Sequence, residues 1–209
     1  MGRMEFRPPV SLMGGRVALL PLDRAHSEAL WRASRDPEVG RYMLLGPGET
    51  RPEFDEMITT VLGRQASGVD LAFTTTRLPD RTPIGMTRFM EIDRDNGAVE
   101  IGGSWLDPVY WGSPVNTEAK WLMFRHAFEV EGAHRVWLRT DARNVRSQRA
   151  IAALGAIREA EMREHLKRRD GFYRSSIYFS VLAGEWPEVR ARLEAKFRQP
   201  WTAPARGTP

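Results

Sequence analysis

A chain of 209 residues with 42% hydrophobic and 28% charged side chains has a globular composition and excludes the low-hydrophobicity, high-charge signature of disorder. At that length one domain buries roughly 70% of the surface its unfolded chain exposes, so no covalent staple is needed. Cysteine is absent, which removes disulfides, thiol nucleophiles and thiolate metal sites and makes the cytoplasm the expected location. The N-terminal MGRMEFRPPV has no continuous apolar stretch of the kind a secretory signal needs. No window of about 18 apolar residues is present to span a bilayer either, so a membrane role is not expected. Net charge is +4 and the pI about 9.8. The 28 arginines against 3 lysines supply guanidinium groups suited to phosphate and carboxylate partners, or simply a solvated basic surface.

In chain order, residues 1–14 carry Pro and Gly and read as a loose N-terminal segment, with the folded domain expected over 15–198. Residues 16–22 (RVALLPL) form a first strand, followed by a helix from Asp23, a suitable N-cap, to about Arg35. Gly46-Pro47-Gly48 turns the chain into a second helix near 52–65. Three strand-like runs follow at 70–77, 83–92 and 98–106, joined by the short connections LPDRT and DRDNG. Next come a helix opening near Pro114, a strand at 134–141, a helix at 146–154 closed by Gly155, and an antiparallel pair near 156–166 and 175–182. A last helix begins at Pro187, and residues 199–209 carry no periodic signal and are expected to be a disordered tail. The alternation gives one α/β domain, a mixed, mostly antiparallel sheet of about seven strands with helices on both faces.

The segment WGSPVNTEAKWLMFRHAFE starts as a turn and becomes an amphipathic helix. Ser113 is a good N-cap and Pro114 a natural first helical residue, because the N–H at that position has no intrahelical partner. A helix entered from a strand through a tight Gly turn presents unpaired amides and its positive dipole end, which suits phosphate; ordinary capping alone would also explain it. Ala119, Leu122, Met123, Ala127 and Val130 fall at helical spacing and read as core.

Trp105-Leu106-Asp107-Pro108, then WGSPVNTEAKWLMFRHAFE, then RVWLRTDARNVRSQRAIAALGA and the run ending in GEW together resemble the GCN5-related N-acetyltransferases (GNAT), and within them the RimJ/RimL-type subgroup. The resemblance covers about residues 16–193. It implies a splayed sheet that binds acetyl-CoA as co-substrate. Pantetheine would meet the backbone of Trp105 and Leu106, and the pyrophosphate would meet amides among Gly112, Ser113, Val115, Asn116 and Thr117. The chain departs from the usual phosphate loop: Trp111, Pro114 and Asn116 stand at its anchor positions, so one amide donor and the basic side chain are missing. In the next motif, the resemblance gives Asn144 a bond to pantetheine and places Ser147 near the thiol as candidate acid. The local alternative is a helix cap and its first turn. Ile151 occupies the place where other branches carry a Tyr acid. Arg149, with Arg146, is a candidate for the CoA 3′-phosphate, whereas Lys167-Arg168-Arg169 reads as solvated.

Acyl transfer needs an amine made neutral, and Glu100 in VEIGG resembles the subgroup's strand carboxylate and is the expected base; an exposed Glu without a role is the alternative. Backbone amides near Trp105 or Leu106 would stabilise the tetrahedral intermediate. The four histidines show no metal-ligand spacing, so no metal is implied. The acceptor is expected over residues 31–54 and 167–175, where Tyr42, Phe54, Phe172 and Tyr173 offer a pocket. The partner is a protein N-terminus or an amine-bearing small molecule, and a homodimer stays open. Two other readings stand beside the enzyme: a catalytically weak acyl-CoA-binding or regulatory module, motivated by Trp111 and Pro114, and a basic nucleic-acid-binding protein. No RNA-recognition motif, zinc finger or helix-turn-helix supports the last.

Overall fold

The computed structural model describes residues 4–7, 10–168 and 170–197. Eight strands form one sheet in the order β1-β2-β3-β4-β5-β6-β8-β7. They are β1 (Leu12–Met13), β2 (Val17–Pro21), β3 (Leu71–Arg77), β4 (Thr82–Asp93), β5 (Ala98–Leu106), β6 (Arg135–Asp141), β7 (Ile157–Lys167) and β8 (Tyr173–Leu182). All neighbours pair antiparallel except β5 with β6, which run parallel.

The helices are α1 (Ser27–Ala33), α2 (Arg51–Ala66), α3 (Pro114–Arg125), α4 (Val145–Leu154) and α5 (Trp186–Phe197). Their starts follow from local chemistry. Thr50 and Glu53 form a reciprocal capping box at α2, and Ser113 caps α3 with Pro114 in the first turn. Gly155, at φ 102°, ends α4 in the left-handed conformation that a Cβ disfavours. The last turn of α3 widens into a π-helical segment, His126–Val130.

Alternation along the strands splits the core in two. Leu71 and Phe73 of β3 and Val99 and Ile101 of β5 pack with α3, α4 and α5 on one face, while Ala72, Met86 and Trp105 meet Leu30, Phe54 and Ile58 of α1 and α2 on the other. Among the described residues, no helix is long and apolar enough to cross a membrane.

Within the N-terminal segment expected to be loose, residues 4–6 and 12–13 are packed or paired. Met4 and Phe6 are each 3% exposed. The Glu131 carboxylate accepts N–H bonds from Glu5 at 2.8 Å and Phe6 at 3.0 Å, and Leu12–Met13 adds the eighth strand by pairing with β2. The expected tail at 199–209 lies outside the described residues.

Candidate active site

The sheet opens between β5 and β6. The two strands are paired only at Ala98↔Arg135, Val99↔Val136 and Glu100↔Trp137, then diverge, so the later part of β5 has no ladder partner on that side. Its other side is irregular as well. The register with β4 shifts between Met86 and Arg88, which leaves Gly103 and Ser104 in a bulge that re-aims the strand. Only glycine suits position 103: φ is 56°, and a Cβ there would lie 2.7 Å from Arg88 Nη2. Gly103→Ala is therefore expected to cost more than about 1 kcal/mol, read as a fall of several degrees in Tm by thermal denaturation.

The opening is a cleft of about 530 Å³ that reaches from the α3 side to the loop between α1 and α2. Glu100, Trp105, Leu106, Gly112, Asn116, Asn144 and Ser147 all contribute to its wall. Glu100 is 2% exposed. With Val99 and Ile101 committed to the α3 side, strand alternation turns its carboxylate toward α1 and α2. Oε1 lies 3.1 Å from Arg139 Nε, while Oε2 is buried without a hydrogen-bond partner. Burial raises the carboxyl to about 7, against the pull of Arg139. A carboxylate that exchanges its proton near neutrality, with one oxygen unsatisfied, is equipped to take a proton from a bound amine.

Behind it sits a buried ionic cluster that sequence reasoning did not find. Asp70 accepts two bonds from Arg64, at 2.9 and 3.0 Å, and one from Arg88 at 2.7 Å. Arg88 is 3% exposed and Asp70 2%. The partners are 6 and 18 residues apart in the chain, a separation that carries no local signal.

The helix end at α3 is built largely as its sequence suggests. The Ser113 hydroxyl accepts from Val115 N–H at 3.3 Å, and Ser113 N–H donates to the Tyr110 carbonyl at 3.3 Å. Two of the five amides singled out for phosphate are thus engaged within the turn. Val115 itself is fully buried, and Ser113, Val115 and Thr117 are not in the cleft wall. Arg149 is exposed on α4 and also outside the wall. The neighbouring Arg146 is in it, with its guanidinium carbon 3.3 Å from the Trp111 ring centroid. A cation from α4 thus sits beside the N-terminal end of α3, held on the face of the Trp at the loop's first anchor position. Trp111 is fixed in turn by its indole N–H, which donates to the Leu106 carbonyl at 3.0 Å.

Asn144 caps α4, its Oδ1 accepting from Ser147 N–H at 3.0 Å, and Ser147 shares the wall with Ile151. Lys120, given no role by the sequence reading, is 5% exposed and also reaches the wall. Its spacing to the buried Met123 and Phe124, at i+3 and i+4, was the available signal that it faces inward.

The end of the cleft where the acceptor was expected is made by the loop between α1 and α2. Val39, Tyr42, Met43, Leu44 and Leu45 line it, with Arg174 of β8 opposite. That loop is tied to the β7–β8 hairpin by Arg168, whose Nη1 donates to the Arg41 carbonyl at 2.5 Å, and by Arg174, which donates to the Tyr42 carbonyl at 3.3 Å. Arg168 is therefore a tether and not a solvated charge; Arg169 lies outside the described residues. Of the four aromatics expected in the pocket only Tyr42 lines it. Phe54 is sealed in the core. Phe172 and Tyr173 are 44% and 54% exposed and stay outside the wall.

A sheet wedged open between parallel strands, entered beside a capped helix end and floored by a buried carboxylate, is the splayed α/β arrangement that the resemblance to the GNAT family implied. Comparison with known proteins agrees: a model of the acetyltransferase (GNAT) domain matches residues 16–157, and the chain belongs to that family. It is 25% identical over 171 residues to the N-acetyltransferase p20 of Bacillus licheniformis, covering 82% of this chain and 95% of that one. A solved structure from T. thermophilus, named as an acetyltransferase, is 38% identical with a TM-score of 0.82, covering 90% and 97% of the two chains. RimJ from Mycobacterium smegmatis, solved with CoA-disulfide, shares the fold at a TM-score of 0.75 and 19% identity over 89% and 91%. The protein is an acetyltransferase.

Proposed function

We propose that the protein moves an acetyl group from acetyl-CoA directly to a primary amine, carried by a protein N-terminus or a small molecule. The observation that carries this reading is the wedge between β5 and β6 with Glu100 at its vertex. The free edge of β5 from Ile101 to Leu106 offers backbone N–H and C=O groups to an extended arm, and RimJ of the same fold holds a CoA derivative. The amides at Gly112 and Asn116 and the guanidinium of Arg146 suit the pyrophosphate. Glu100 takes the proton of the incoming amine, and Ser147 hydrogen-bonds the sulfur as it departs. The amine enters from the side of Tyr42 and Arg174.

Calorimetric titration with acetyl-CoA followed by a panel of amines tests the reading. One-site binding and acetylated product support it; binding with no transfer to any amine would favour a regulatory acyl-CoA-binding module instead. Arg146→Ala is expected to weaken acetyl-CoA binding about tenfold, since a charge-assisted bond contributes roughly 1.5 kcal/mol or more. The loss should shrink at high salt, and titration at two ionic strengths would show it.

A further inference from the structure

Lys120 of α3 is buried, yet its polar partners among the described residues are two hydroxyls and no carboxylate. Its Nζ donates to Thr87 Oγ1 of β4 at 2.8 Å and, over a short distance, to Ser104 Oγ of β5. The two hydroxyls also bond each other, at 2.7 Å. An ammonium has only donors, so both oxygens accept from it. Thr87 can pass its proton to Ser104 or to Met123 Sδ at 3.4 Å. Ser104 has only the Gly102 carbonyl at a long 3.3 Å as an acceptor within its own strand. The chain of bonds therefore runs from a buried amine to one exposed hydroxyl that lines the cleft and is held internally only by these weak or shared acceptors.

The place of that hydroxyl is informative. Ser104 lies four residues beyond Glu100, on the stretch of β5 that has lost its neighbour, and next to Trp105. An amine that gives its proton to Glu100 must attack an acyl carbon lying along this same edge. The bulge at Gly103–Ser104 turns Ser104 toward Lys120 of α3, while both Glu100 and Ser104 line the one cleft.

Resting on the acetyl-transfer reading, we propose that the Ser104 hydroxyl donates a hydrogen bond to the acyl oxygen as negative charge builds there, with Lys120 as the positioning residue that polarises it. In the step, the amine nitrogen bonds the acyl carbon and the carbonyl π pair moves onto the oxygen facing Ser104. Glu100 takes the amine proton, and the pair returns as the thiolate leaves. Ser104 keeps its proton throughout, so nothing beyond the two substrates is consumed.

Lys120 tunes this donor with pH. Burial alone pulls its ammonium down to about 7, its polar partners being Thr87 from β4 and Ser104 from β5, with no charged group bonded to it among the described residues. Polarisation of Ser104 is thus full below neutrality and fades as the pH rises through 7.

The test uses acetyl-CoA carrying a 13C carbonyl, bound to the intact protein and read by isotope-edited infrared spectroscopy, which needs no acceptor. The carbonyl band is expected at lower wavenumber in the wild type than in Ser104→Ala, with Ser104→Thr restoring it and Lys120→Met moving it partway back. In the wild type it should drift upward between pH 6 and pH 9. With any accepted amine, Ser104→Ala should lower kcat about 100-fold, the scale of losing one preorganised donor, with little change in KM for acetyl-CoA. The Lys120→Met/Ser104→Ala double variant should be no slower than Ser104→Ala. A band that does not respond to Ser104→Ala overturns this assignment and leaves the acetyl-transfer reading standing, whereas absence of acetyl-CoA binding overturns both. Because Ser104 is exposed, its variants decide the matter even where Lys120→Met does not fold.

Discussion

Glu100→Gln is expected to lower kcat/KM for the acceptor amine by roughly 10²- to 10⁴-fold at neutral pH, the usual contribution of a positioned general base, with acetyl-CoA affinity unchanged. The amide keeps the volume of the carboxyl and a hydrogen-bond acceptor for Arg139, but it cannot take a proton. The wild-type carboxyl, raised to about 7 by burial, is ionised only above neutrality. Relative to the variant, which follows the ionisation of the amine alone, the wild-type rate should gain a further rising limb through pH 7, offset above it as Lys120 loses its proton and Ser104 its polarisation. Steady-state rates from pH 5.5 to 9.5 check it; equal rates for the two proteins at neutral and at high pH would remove Glu100 from the mechanism. The same shift bears on stability with a definite sign. A carboxyl whose folded value lies above its ordinary one stabilises least where it must be charged, so its cost is absent well below pH 4.5 and fully present above about 7.

Asp70→Ala is expected to be the most damaging single change to the fold, losing about 3–5 kcal/mol. Asp70 is the acceptor for Arg88 and Arg64 together. Without it the Arg88 guanidinium, 3% exposed, stays buried without its hydrogen-bonded counter-charge, Glu100 acting on it only through space. For a chain of this size that corresponds to a fall in Tm of roughly 10 °C or more, measurable by calorimetry or circular dichroism. Arg64→Ala should cost far less, because its side chain is 36% exposed and water replaces the lost partner. If the two variants unfold together, the buried pair is not what sets the cost. Asp70→Ala should also slow turnover, since Arg88 packs under the Gly103–Ser104 bulge and its displacement would move that part of β5.

Much of this architecture was readable residue by residue. The run at 98–106 alternates, is bounded by DRDNG and Asp107-Pro108, and forms β5 over that span. Ser113-Pro114 opens α3 and Gly155 closes α4 as their backbone preferences require. These features depend on neighbours a few positions away, where propensity and capping act. The N-terminal strand escaped notice because two residues cannot show a period. Met4 and Phe6 read as loose because what holds the backbone there is Glu131, 125 residues away. The turn before α3 shows the same limit: only folding brings Arg146 of another helix onto Trp111.

By itself the sequence determined the class of fold and the order of elements, because periodicity and caps are local properties of the chain, and its resemblance to the GNAT family named Glu100, Asn144 and Ser147 as candidates. Tertiary structure alone decided which face of β5 carries Glu100, by committing Val99 and Ile101 to the opposite core. It also decided that burial tunes both Glu100 and Lys120 to about 7. Desolvation and charge pairing depend on what packs around a group, and for these residues the neighbours come from strands and helices distant in the chain.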